Sequence, residues 1–217
     1  MKTNQSFAAG SGHRIRSSAG FTLLEVLVVL LVMSIGMLGV AGLQAATSRY
    51  KISAWSRAST AVLFSDFADR VRANPEQAGL SYFSDKAATS TSAYTLSADW
   101  STQLSAALTV SPDCMSTACT AAERATYDMT IWRQEVRRQL PQGAAIVSGN
   151  RTSGMTVSMM WYDKQFVDKD GALETSNSCE SVKAKSSTYT APALSNCCPD
   201  AAAVPAGVRC VNFGFVP

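Results

Sequence analysis

The sequence predicts an α+β fold: a long N-terminal helix laid against a small antiparallel sheet, with a second amphipathic helix. Three observations predict it. An apolar run from Phe21 to Leu43 passes into a helical stripe that stops at Asn74-Pro75. A second stripe of helical period covers Ala121 to Leu140. Beyond it come short apolar segments of strand character, separated by Gly, Pro and Asp.

The apolar run is the first element. Glu25 is its only charge, and the next charged residue is Arg49. The run is long enough to cross the ~30 Å hydrocarbon core of a bilayer as a helix. Lys2, Arg14 and Arg16 precede it with no acid beside them. That asymmetry predicts a cytoplasmic N-terminus, with the rest of the chain outside. An ordinary secretory signal is cut after its apolar region. Here the small-residue punctuation, Ala19-Gly20-Phe21, comes before it. A cut there removes only the hydrophilic leader and leaves the apolar helix as the new N-terminus.

The residues Gly20-Phe21-Thr22-Leu23-Leu24-Glu25-Val26 resemble the start of the type IV pilin and pseudopilin family. The resemblance implies cleavage after Gly20 by a prepilin peptidase and N-methylation of Phe21. It also places Glu25 at the fifth mature position. A simple membrane anchor leaves Glu25 unexplained, because a carboxylate within a membrane helix costs ~2.5–3.5 kcal/mol on insertion scales. The nearest cation open to it is the new α-amino group of Phe21 on a neighbouring subunit, which makes Glu25 the candidate for subunit docking. The competing reading is that Glu25 snorkels to the interface. Gly36, Gly39 and Gly42 recur on one side of the helix. They allow either close helix approach or local unwinding, and glycine is also simply common in membrane helices.

The helical pattern continues through Tyr50, Ala54, Ala58, Ala61, Phe64, Ala68 and Val71, widened by Trp55, Val62, Leu63 and Phe67. This stripe is expected to pack on the head, with Asp66 and Arg70 as an i,i+4 pair on the exposed side. A helix from Phe21 to Ala73 would be about 80 Å long. The expected division is a leader over 1–20, a transmembrane half-helix over 21–48, a periplasmic half-helix over 49–75 and a globular head over 76–217.

The segment from Ser65 to Pro75, with Ala68-Asp-Arg-Val-Arg-Ala-Asn-Pro75 at its end, resembles a minor-pilin branch of the same family, PilV or pilus modification protein. Valine stands where that branch tends to have methionine. Cys119-Thr-Ala, Tyr127-Asp128, Trp132 and Leu140-Pro141-Gln-Gly143 resemble it again.

Residues 76–120 are rich in Ala, Ser and Thr and read as a loop region, with short helical pieces around Asp99–Leu108. Thr120-Ala-Ala-Glu123 is a capping-box pattern. It opens a helix whose face is Ala121, Ala125, Met129, Trp132, Val136 and Leu140, ended by Pro141. Arg133, Arg137 and Arg138 form a basic edge on it, read as a solvated face. Ala144–Ser148, an alternating Met155–Tyr162 and Val208–Phe215 are the strand candidates. Asp170-Gly171 marks a turn between Gln165–Asp168 and Leu173, and Ser176–Pro205 reads as a loop.

The six cysteines, Cys114, Cys119, Cys179, Cys197, Cys198 and Cys210, all follow the apolar run. An even count in an exported chain favours disulfides. A zinc site is the rival, but no second pair repeats a ligand spacing and the only histidine, His13, is in the leader. Cys114 is expected to pair with Cys119. The adjacent Cys197 and Cys198 would strain a vicinal bond, so one pairs with Cys179 and the other with Cys210, in an order the sequence leaves open.

The net charge of +3 resides in the leader, and the remainder balances sixteen basic against sixteen acidic residues. No strong nucleic-acid binding is expected. No nucleotide or Walker fingerprint, nucleophile elbow or histidine base is present, so neither enzyme activity nor a cofactor is expected. Asp163, Asp168, Asp170 and Glu174 crowd one hairpin without EF-hand order and read as solvated loop acids rather than a calcium site.

The resemblance implies a minor pilin of a low-abundance priming or tip complex that supports pilus assembly, adhesion and twitching motility. The implied partners are other minor pilins, the major pilin, the prepilin peptidase, a tip adhesin and the inner membrane. A minor pseudopilin of a type II secretion system shares the N-terminal motif, and a DNA-binding pilin for transformation is a further alternative.

Overall fold

The computed structural model describes residues 20–79, 91–185 and 191–217. The basic residues of the leader lie outside these, as do parts of the two segments read as loops. The chain divides into two compact units, one through Thr47 and one from Ser48 to Pro217. The helix α1, Leu23–Ala73, contributes to both.

In the first unit every described side chain is exposed, including the apolar ones. A core helix of a soluble protein would be covered by its own chain, whereas the 18-residue window of mean hydropathy 2.7 is 0% buried. By length and composition it can cross a membrane.

The second unit is an α+β head. The remaining elements are α2 (Trp100–Ser105), α3 (Ala121–Gln139), β1 (Ala144–Asn150), β2 (Gly154–Tyr162), α4 (Cys179–Lys185), α5 (Ala191–Ser195) and β3 (Val208–Phe215). The strands form an antiparallel meander in the order β1-β2-β3. Ala144 pairs with Met160 at one end of the first ladder and Asn150 with Gly154 at the other. Asn150 Oδ1 closes the turn by accepting from the backbone N–H groups of Thr152 and Ser153 at 2.9 Å. Gly149 has φ +95°, and a Cβ there would sit 2.1 Å from the Gly154 carbonyl oxygen, so only glycine fits.

The sheet is covered on both faces. Leu63, Phe67, Val71, Trp132 and Val136 pack on one side, against Val157, Met159 and Trp161. Trp100 of α2, Cys198 and Ala202 pack on the other, against Ile146, Met160 and Cys210. Double coverage overrides the alternation of Met155–Tyr162. Ser158 and Met160 are buried along with their neighbours, and the run from Val157 to Trp161 is buried without interruption.

The helix α1 buries Leu63, Phe67, Ala68 and Val71 of the expected stripe, but a different flank over its first half. In the head its buried residues are Ser56, Ser59, Thr60, Leu63, Phe67, Ala68 and Val71. Tyr50, Ala54, Ala58 and Ala61 of the expected stripe are exposed, as are Trp55 and Val62. The hydroxyls of Ser56 and Thr60 bond to carbonyls one turn back, which lets small polar side chains line a helix–sheet contact. Apolarity alone therefore pointed to the wrong flank for the first half of the stripe.

The segment Ser176–Pro205, expected as loop, holds two short helices and a 3-10 turn at Asp200–Ala202. It lacked an amphipathic period because covalent bonds, not a packed face, hold it. Cys179 is bonded to Cys197 and Cys198 to Cys210, with Cα separations of 4.9 and 5.2 Å. Cys198 forms a bridge with Ser178, so the chain there is extended and adjacent side chains point to opposite sides. Cys197 thus reaches α4 while Cys198 enters the sheet core. Cys114 is bonded to Cys119 across the turn before α3.

Candidate functional site

The candidate site begins where α1 begins. Thr22 Oγ1 accepts the Glu25 backbone N–H at 3.2 Å and its carbonyl accepts from Val26, so Thr22 caps the helix. Glu25 occupies the third helical position, where a carboxylate interacts favourably with the positive end of the helix dipole. The Thr-x-x-Glu spacing carried this cap in the sequence and was missed beside the pilin resemblance. Phe21 is 81% exposed, and Glu25 is exposed too. Glu25 has no ion-pair partner among the described residues. A Cβ on Gly20 would meet nothing within 4 Å, and the same holds at Gly36, Gly39 and Gly42. The fold of this one chain does not require glycine at any of these positions.

In the head, the two segments with the finer resemblance close on each other. Asn74 Nδ2 donates to the Tyr94 hydroxyl at 3.1 Å and to the Ala121 carbonyl at 2.8 Å. Tyr94 OH donates to Asp128 Oδ2 at 3.1 Å, and Arg70 Nη1 reaches Asp128 Oδ1 at 3.3 Å. Arg70 Nε meets Asp66 at 2.9 Å. This corrects the expected exposed pair: Asp66 and Arg70 are half-buried, and Arg70 also joins α1 to α3. Burial opposes the Arg70 charge, but Asp66 and then Asp128 outweigh it and hold its pKa above the usual value. Burial pushes the Tyr94 phenol far above its ordinary range, and the Asp128 charge adds to the shift. Asn74 was read only as a helix stop. Asp128 had a legible signal, an acid set among the buried positions of an amphipathic helix.

The capping box is present, with Glu123 N–H donating to Thr120 Oγ1 at 3.3 Å and Thr120 N–H to Glu123 Oε2 at 2.8 Å. The basic edge is not one solvated face. Arg137 donates to the Ala106 carbonyl at 2.8 Å, Arg138 pairs with Glu135, and Arg133 is half-buried. Burial and then the Arg137 charge pull the Arg133 pKa down. The hairpin acids separate: Asp163 is buried against Arg209 at 2.7 Å, while Asp168 accepts from Asp170 N–H and Ala172 N–H. No group of three or more His, Cys, Asp or Glu disposed for a metal occurs among the described residues.

An apolar helix uncovered by its own chain, opened by Gly-Phe and carrying one carboxylate in its first turn, joined to a small α+β head, has the design of a type IV pilin-like protein. Residues 15–41 match the family described as the prokaryotic N-terminal methylation motif. That motif indicates a subunit of a pilus or pseudopilus, a structural protein rather than an enzyme. It implies association with pilus components and a prepilin peptidase, membrane anchoring and then incorporation into a filament. No curated protein and no solved structure matches the chain.

Proposed function

We propose that the protein is a minor pilin of a type IV pilus, akin to the PilV branch, acting in a low-abundance priming or tip complex. Its peptidase cuts between Gly20 and Phe21, and Phe21 is then methylated. Residues 21–48 hold it in the inner membrane with the head in the periplasm, until it enters the pilus at or near the tip. There it supports assembly, adhesion and twitching motility beside other minor pilins, the major pilin and a tip adhesin.

One observation carries this reading: Glu25 is an exposed carboxylate with no ion-pair partner among the described residues. In lipid it needs a cation. Cleavage creates one on the Phe21 of a neighbouring subunit, and methylation leaves it charged. An incoming subunit satisfies Glu25 only at one axial offset, so the pair sets register more than it adds stability. The uncrowded Gly20 supports the same reading, because its lack of a side chain serves something other than this fold, such as the peptidase.

The test is Glu25→Ala at equal membrane abundance. It should insert, should be cut after Gly20, and should be poorly recovered in sheared pili. Recovery at the wild-type level would mean that Glu25 snorkels and has no docking role. Recovery with secretion components in place of pilus subunits would favour the pseudopilin alternative.

A further inference from the structure

Beside α1 the head carries a cavity of about 540 Å³ that the reading above does not use. Its walls include Arg57 and Ala61 of α1, Arg209 and Trp161 of the sheet, and Phe166 and Glu174 of the hairpin. Arg209 is fixed from two directions. Its Nε donates to Asp163 Oδ2 at 2.7 Å, and its guanidinium lies 4.2 Å from the centroid of the Phe166 ring. Asp163 is itself buried and accepts from the Gln165 N–H at 2.9 Å. The Arg209 η nitrogens have no partner among the described residues. An arginine held through Nε and a stacked ring, with its other nitrogens unused, is pre-organised for a carboxylate.

Two further residues stand nearby. Trp161 is the cross-strand partner of Arg209 and is 3% exposed. Its Nε1–H is buried with no hydrogen-bond partner among the described residues. That burial closes the N–H to a docked group, so Trp161 serves as apolar wall of the cavity. Arg57 is exposed and has no ion-pair partner among the described residues. Against these cations the described cavity wall sets Glu174, alone among the acids of the described residues.

The geometry points to a docking pocket, walled by Trp161, in which Arg57 and Arg209 receive a carboxylate carried by another protein chain. A polypeptide fits better than a free acid because the pocket adjoins an apolar strip on the same side of α1. Tyr50, Ala54, Arg57, Ala61 and Phe64 follow helical spacing there. Tyr50 is 78% exposed, Ala54 and Ala61 are exposed, and Phe64 stacks on Phe213 at 4.8 Å. A small acid would leave that strip bare. A nucleic acid fits less well, since the cavity wall also carries Glu174, which repels a run of phosphates. For the partner's identity, another filament subunit, this inference rests on the reading in Proposed function.

The experiment places a photo-crosslinking amino acid at Ala61 in the full-length chain in cells and maps the linked peptides by mass spectrometry. The expected product joins Ala61 to a segment of another subunit containing Asp or Glu. Arg57→Glu, at a side chain without an intramolecular partner, should lower the yield at least about tenfold, the scale of a lost charge pair in an interface. Arg57→Gln gives the same sign if the reversed charge perturbs the head. Replacing the partner's acid by Lys should restore crosslinking to Arg57→Glu. An unchanged yield in Arg57→Glu, a linked segment without an acid, failure of the charge swap, or linkage to nucleic acid would each overturn the pocket. If the chain is absent from pili but still crosslinks to an acidic segment in an Arg57-dependent way, the filament reading fails and the pocket stands. If it is present in pili with Arg57-independent yield, the pocket fails and the filament reading stands.

Discussion

Replacing Asp128 by alanine removes the acceptor at the centre of the polar clamp between α1 and α3. The Tyr94 hydroxyl, fully buried, then keeps the Asn74 donor but loses the oxygen that takes its own proton. An unsatisfied buried donor costs about 1–3 kcal/mol. Arg70 loses its contact at 3.3 Å, yet it keeps Asp66 at 2.9 Å and is a quarter exposed, so this adds only about 0.5–1 kcal/mol. The sum is about 3 kcal/mol, a large part of the ~5–15 kcal/mol that holds a domain together. Urea unfolding of the full-length chain in detergent, followed by tryptophan fluorescence, measures it. Asp128→Asn should cost less, since its amide oxygen can still accept from Tyr94. A cycle with Tyr94→Phe should give a coupling of about 1–2 kcal/mol. The clamp also sets a pH limit. Burial raises the Tyr94 phenol in the folded chain above the ordinary phenol value of about 10. The folded state keeps that proton where the unfolded state releases it, so the contribution is whole below about pH 10 and is lost as pH rises above it. Tyr94→Phe should remove that alkaline loss. A cost below about 1 kcal/mol for Asp128→Ala, or strict additivity with Tyr94→Phe, would refute the clamp as an energetic unit.

Gly20→Leu should leave the uncut precursor in the membrane, seen by gel mobility and intact mass, whereas normal-sized mature protein would remove Gly20 as the cleavage determinant. Replacing both Cys198 and Cys210 by alanine should cost about 3–5 kcal/mol, because both are buried in the sheet core. The same change at Cys114 and Cys119 should cost less in the same urea titration, since that bridge closes an exposed turn. Gly149→Ala should cost at least about 2 kcal/mol, from the clash with the Gly154 carbonyl and a φ of +95°. A cost within about 0.5 kcal/mol there would mean the hairpin relaxes freely.

Local signals were legible where one interaction decides structure. The Thr120–Glu123 box, the period of α3, the Asn74-Pro75 stop and the three strands could all be read this way. Less legible was any choice that depends on what lies opposite. The sequence shows Ala54, Ala58 and Ala61 as apolar, but Ser56, Ser59 and Thr60 are buried, with Ser56 and Thr60 set beside Trp161 of the sheet, where small hydroxyls fit. Double burial of β2 could not be read from strand period, since it needs α2 and the Cys198 segment behind the sheet. At the candidate site, Gly20, Phe21 and Glu25 stood out by type and order alone. Tyr94 and Asp128 did not, because their meaning is a contact between segments 34 residues apart.

The bridges join each cysteine to the next one along the chain: 114 to 119, 179 to 197, 198 to 210. A head translocated in chain order behind a membrane helix whose N-terminus stays on the near side presents those thiols in that order. An oxidant that closes each pair as the second member emerges makes every native bond at the first attempt. No earlier thiol waits for a later partner, and no wrong bond must be undone. For the adjacent Cys197 and Cys198 this matters most, since Cys197 is already committed to Cys179 before Cys210 has emerged. The pattern dispenses with a disulfide isomerase and requires only an oxidase at the exit.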